Sequence, residues 1–312
     1  MPKELSHILI AQEVFAELKK SGRKRLARIT EKNLPAFYLG AIIPDAFFYD
    51  ATPFLGLSKD NVRIARALHQ KDTVQNDERA MGFFDAITID PHAWRAKVAF
   101  AAGIVTHTVS DRLIHDVIDY YTRNWDQKGG LALATHRQFE TLIDMVLLQS
   151  LHLHPRHFPF EGLVDVHHPI RDVLFQFYLS RLIEGQQIPD PRLLRSLKMA
   201  CAQQRLCLRL FAVKALYHIM NLSNKLAAGR LGIWSSLFYP ERIGTEGFPI
   251  MDRIDPNALT DDRSFAGPLP SLIQKITADA ISHIGMGIHR LGQGQQSGDS
   301  QWNTQPRKLH LT

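Results

Sequence analysis

Cysteine is scarce: two in 312 residues, Cys201 and Cys207, leave no disulfide framework to staple a fold. They sit six positions apart in a helical stretch, about 9 Å along the axis at the usual helical rise, so they cannot bridge each other. Long apolar runs are missing too. The longest, from Leu34 to Leu57, is cut by Pro44, Asp45, Asp50 and Pro53, whereas a bilayer span needs roughly 20 apolar residues; no transmembrane segment is expected. The opening MPKELSHILIAQEVFAEL has acidic and polar residues interrupting the apolar ones at helical spacing, unlike a signal peptide, and a cytoplasmic location is expected. There is no glycine-rich phosphate loop, serine nucleophile elbow, C-x-x-C pair or internal repeat.

What is present is an ordinary globular composition, 45% hydrophobic and 22% charged, with a net charge of +6 that weakly favours anionic partners. The unusual count is fifteen histidines. Apolar residues recur at helical period and no stretch alternates long enough for a sheet, so the expected class is an all-α, multi-helical fold. We expect one domain over residues 1–291, with a metal-binding half of about 1–160, a helical extension of about 161–291, and a polar tail over 292–312. Leu5, Ile8, Leu9, Phe15 and Leu18 mark a first helix, and the basic cluster Lys19 to Arg28 reads as a solvated connection. A short helix from Pro35 to Ile43 should stop at Pro44. Asp90 and Pro91 start a long helix toward Tyr121. After Gly129 and Gly130 another helix carries Leu133, Phe139, Leu142, Ile143, Val146 and Leu147. Ile170 to Ile183, Pro191 to about Ala228 and Pro270 to Leu291 read as further helices, with an irregular segment from Gly229 to Gly267 between the last two.

The chemistry is concentrated in two helices. In GIVTHTVSDRLIH, His107, Asp111 and His115 follow at steps of four and project from one stripe. In HRQFE, His136 and Glu140 repeat the spacing. Neutral imidazole nitrogen and carboxylate oxygen are zinc donors. The stripe at His107 and Asp111 follows the apolar AFAAGIV, where buried polar groups require partners or a metal. Other histidines are weaker candidates: His152, His154 and His157 beside prolines read as an exposed turn. Phe47, Phe48, Tyr49 and Phe54 around Asp45 read as core packing more readily than as an acyl or base pocket.

With His7, the stretch YLGAIIPDAFF containing Asp45, and His69 in ALHQKD, these motifs resemble the zinc-dependent phospholipase C family, whose superfamily includes the single-strand-specific zinc nucleases. The resemblance covers about the first half of the chain. It implies an all-helical fold and zinc ions: His69, His107 and Asp111 for one, with Asp45 beside it as ligand or base; His115, His136 and Glu140 for a second; His7 and Asp111 toward a third. The secreted relatives supply a processed amino-terminal tryptophan to the third ion. This chain has no tryptophan near Met1, which implies two ions, or three with the third weakly held.

Two or three divalent ions a few ångströms apart meet the needs of phosphodiester hydrolysis, activating water and neutralising the leaving group. The expected function is therefore a zinc-dependent phosphoric ester hydrolase, phospholipase C-like, acting on a phospholipid or a soluble phosphodiester, with Asp45 orienting the attacking water. The alternatives are a nuclease-like phosphodiesterase and a non-catalytic zinc-bound helical scaffold for a protein partner. A nuclease would set its stacking aromatics beside a basic groove; the aromatics around Asp45 lack interleaved Lys or Arg, and no stable nucleic-acid partner is expected. No segment reads as a dedicated lipid anchor. The sequence carries no signal for an oligomeric state.

Overall fold

The protein is described from a computed structural model, covering residues 4–50, 64, 69, 73–88, 90–122, 130–182, 190–241 and 269–297. Among these residues every regular element is a helix. They are α1 (Glu4–Lys20), α2 (Lys24–Glu31), α3 (Leu34–Ile42), α4 (Thr73–Asp85), α5 (Trp94–Thr122), α6 (Gly130–Ser150), α7 (Phe160–Val164), α8 (His168–Leu182), α9 (Pro191–Phe211), α10 (Lys214–Leu226), α11 (Gly232–Ser235) and α12 (Leu269–Ser297), with 3-10 turns at Ile43–Tyr49 and Pro155–His157. The chain divides into two compact units: one of residues 1–9, 110–160 and 204–276, the other of residues 10–109, 161–203 and 277–312.

In the second unit, α5 starts at Trp94, three residues later than a cap at Asp90 with Pro91 at the first helical position predicts. The Asp90 carboxylate does accept hydrogen bonds from the backbone N–H groups of His92 at 3.1 Å and Ala93 at 2.5 Å, and so closes the turn that leads into the helix. From Val98 to Asp111 α5 is buried all round, the mark of a core helix rather than an amphipathic one; beyond it Arg112 and His115 are half-buried and Asp116 is exposed. Thr106 bonds back to the Ala102 carbonyl at 2.9 Å, so its hydroxyl is satisfied inside the helix. Glycine decides how closely α3 approaches: a Cβ on Gly40 would fall on the Phe100 carbonyl oxygen, and one on Gly103 on the Phe37 carbonyl oxygen. The two backbones therefore touch where the side chains are absent. Around them Phe83, Phe100 and Tyr178 pack as buried rings, Phe83 stacked on Tyr178 at 5.9 Å and Phe100 edge-on to it at 6.2 Å. On α12, Gly287 makes room for the Phe84 ring.

In the first unit, α6 buries Phe139, Leu142 and Ile143 of the stripe read from sequence, with Leu148 beside them, but leaves Val146 and Leu147 half-buried and Leu133 exposed. Its Asp144 is also fully buried. The Asp144 carboxylate accepts the backbone N–H of Ser6 at 2.9 Å, the Ser6 hydroxyl, and the Tyr239 hydroxyl at 2.5 Å. A carboxylate from α6 thus caps the first turn of α1.

Several local expectations are corrected. The basic cluster forms α2, because Leu26, Ala27 and Ile29 supply a buried face between the charges. The α3 helix does stop before Pro44, at Ile42, but Pro44 is then followed by no loop: it occupies the first turn of a 3-10 helix, a position where its missing N–H costs nothing. The helix expected over 191–228 breaks at Ala212 and Val213 into α9 and α10. The last helix continues to Ser297, beyond the Leu291 end read from its apolar period. On α1, Val14 is buried fully while Phe15 is only half-buried. Phe54 and residues 298–312 of the polar tail lie outside the described residues.

Candidate metal centre

Asp45, on the 3-10 turn, is fully buried and meets two histidines of the same unit. Its Oδ1 is 3.0 Å from His69 Nε2 and 3.7 Å from His107 Nε2, and the two Nε2 atoms are 3.1 Å apart. The orientation of His107 is set from behind: Nδ1 lies 2.8 Å from the Ala41 carbonyl oxygen. A carbonyl only accepts, so Nδ1 carries the proton and Nε2 presents a lone pair to the cluster. The Gly40–Gly103 approach brings the end of α3 near enough for that bond. His69 is held edge-on between the Phe48 and His107 rings, each at a centroid distance of 5.3 Å.

The first unit holds a second cluster. His115 on α5 and His136 on α6 face each other, ring centroids 5.1 Å apart and planes 29° from parallel. Glu140 Oε1 is 3.1 Å from His136 Nε2, and its other oxygen is 3.5 Å from the Arg137 guanidinium. His115, His136 and Glu140 each offer a ligand atom within 4.8 Å of the others. Burial above all, reinforced by the cationic charge of Arg137, lowers the His136 pKa to about 2, so this imidazole stays neutral, the form in which it binds metal.

Asp111 offers a ligand atom within 4.8 Å of one from His7, the pair expected to reach toward a third ion, and its Oδ1 is 3.2 Å from His115 Nε2, one turn along α5. The Asp45–His69–His107 cluster gathers three donors without it. His7 is fully buried, with Nδ1 2.8 Å from Ser110 Oγ, and the Asp144 cap on the turn that carries it fixes its height. The sequence reading missed Ala41, Ser110 and Asp144. Only Asp144 had a local signal, since the step of four from His136 to Glu140 continues to it.

The donors fit zinc. Four ligand atoms at about 2.1 Å around a tetrahedral ion stand about 3.4 Å apart, and the three separations in the Asp45 cluster, 3.0, 3.1 and 3.7 Å, bracket that value. All are imidazole nitrogen or carboxylate oxygen, and no thiol takes part. The sequence profile described as "zinc dependent phospholipase C" matches residues 6–205, more than half of the chain and every donor named above. The chain belongs to the zinc dependent phospholipase C family. No curated protein and no solved structure gives a significant match. For a member of this family the all-α architecture is in place, and no helix among the described residues is long and apolar enough to cross a membrane.

Proposed function

We propose that this zinc dependent phospholipase C family member hydrolyses a phosphodiester, with a phospholipid or a soluble ester as substrate, and that Asp45, His69, His107, Asp111, His115, His136, Glu140 and His7 form its metal-binding set. The observation that carries the reading is the buried Asp45–His69–His107 cluster, whose two Nε2 atoms and one carboxylate oxygen converge at tetrahedral spacing.

His69, His107 and Asp45 would hold one zinc ion and His115, His136 and Glu140 a second, while His7 and Asp111 would reach toward a third. When bound, such ions supply Lewis acidity to the phosphoryl oxygens, the attacking water and the leaving oxygen. The chain's own groups do the rest. Ala41 keeps His107 in the tautomer that leaves Nε2 unprotonated, and Arg137 holds the Glu140 carboxylate beside His136. Asp45 accepts the proton of the attacking water. The water oxygen bonds to phosphorus, the ester P–O bond breaks, and the departing alkoxide takes up the proton that Asp45 accepted, which leaves a phosphomonoester and an alcohol and returns Asp45 to its carboxylate. Tyr178, fully buried, has its hydroxyl pushed well above the usual tyrosine range by burial and by the Asp45 charge, so it stays a neutral phenol and adds no anion to the site.

Asp45→Asn tests the assignment. The amide keeps the side-chain volume and an oxygen donor beside His69 and His107, so most zinc should stay bound. Turnover of a generic phosphodiester such as bis-p-nitrophenyl phosphate should fall by about 100-fold or more, the scale of a positioned general base. His107→Ala should lose metal and turnover together. Full turnover in Asp45→Asn would remove the proton-acceptor role, and a parent protein that binds zinc without hydrolysing any phosphodiester would favour the scaffold.

A further inference from the structure

Residues 205–241 contain five basic side chains, Arg205, Arg209, Lys214, Lys225 and Arg230, and one acid, Glu241. That acid pairs with Lys214 at 2.7 Å. All but the first of these residues lie beyond the family match, which ends at 205. Within this stretch α10 buries none of its residues fully. Ile219, Leu222 and Leu226, at steps of three and four, form one stripe exposed by 56, 59 and 80%. Leu206 and Leu210 at the end of α9 are exposed by 54 and 40%, and Trp234 on α11 by 61%. Other large apolar residues are exposed singly, Leu133 and Met286 among them, whereas a stripe of exposed residues on one helix face marks an interaction surface.

We propose that α10, with the end of α9 and Trp234, is a docking surface for an anionic lipid bilayer. Three features favour a lipid surface over a protein. The apolar side chains are large aliphatics on a helix too short to span, the pattern of a helix lying in the membrane interface. Arg209 precedes Leu210 and Lys225 precedes Leu226, which puts long cationic stems at the stripe's edge, able to reach phosphate headgroups as the apolar residues enter the acyl boundary. Trp234 is an indole exposed beside them, the residue enriched at headgroup depth. A second copy of the chain is disfavoured, since pairing this surface with itself would set basic residues against basic residues with only Glu241 to answer them.

The surface does not depend on hydrolysis, so it is tested on full-length Asp45→Asn protein, which leaves the vesicles intact. Sedimentation with vesicles of phosphatidylcholine and phosphatidylserine in a three-to-one ratio should pull the protein down, with a blue shift of tryptophan emission that Trp234→Phe removes. Pure phosphatidylcholine vesicles should bind about tenfold less or weaker. Substituting Ile219, Leu222 and Leu226 together by serine should cut binding by about tenfold or more while leaving the circular dichroism unchanged, because all three are exposed. Arg209→Gln with Lys225→Gln should weaken binding and flatten its salt dependence. The proposal is overturned if the parent binds neither vesicle, if it binds both equally, or if the triple variant binds like the parent. It is also overturned if the parent is a dimer that the triple variant dissociates, because the stripe is then covered by a second copy. If Asp45→Asn protein binds vesicles and the parent shows no phosphodiesterase activity, the surface stands and the hydrolase reading fails.

Discussion

At the scale of single residues, the site depends on side chains whose protonation is set by what lies behind them. His107 is aimed by a backbone carbonyl, and His136 is kept neutral by burial. His136 yields a pH prediction with a definite sign. Its pKa falls from the ordinary 6.5 to about 2 on folding, so between those values the unfolded chain binds a proton that the folded chain refuses. Stability of the metal-free protein should therefore be full above about pH 6.5 and decline as pH falls below it. Thermal melts in chelator from pH 8 to pH 5 check this, with His136→Asn as the control whose decline should be shallower. Donor residues of this kind were legible in the sequence because steps of four on a helix fix which side chains share a stripe. The carbonyl of Ala41 and the hydroxyl of Ser110 were not. Backbone groups carry no sequence signature, and both contacts join positions 66 and 103 residues apart.

At the scale of helices, the controlling feature is the glycine contact between α3 and α5. Gly103 stands one turn before His107, and a methyl group there would strike the Phe37 carbonyl and the backbone at Ala41. Gly103→Ala should destabilise the protein by about 1–3 kcal/mol through overpacking, and should also loosen the Ala41–His107 bond and weaken zinc binding. Gly22→Ala, at a positive φ of 74° with open space around it, should cost stability without touching zinc affinity. Melting temperature and zinc affinity measured on both variants separate the two effects. The long helices were readable from apolar period, and the Asp90 turn that leads into α5 from cap chemistry. The α2 helix was hidden by its basic residues, the α9–α10 break has no glycine or proline to announce it, and the 3-10 turn at Asp45 follows from packing that no local pattern encodes.

At the scale of the whole molecule, family membership sets a zinc dependent family's donors on an all-α frame, and the burial of those donors predicts that metal contributes to the fold's stability. Buried carboxylates and imidazoles lose a common counter-charge when the ions leave, so chelator treatment should lower the melting temperature, and zinc should restore it. The central claim is that two separate donor clusters each hold zinc. Metal content per chain, measured on zinc-reconstituted and desalted protein, tests it most directly when the parent is compared with His69→Ala and His136→Ala. We predict at least two zinc ions in the parent and one fewer in each variant. A parent that retains no zinc, or variants that retain as much as the parent, would contradict the account.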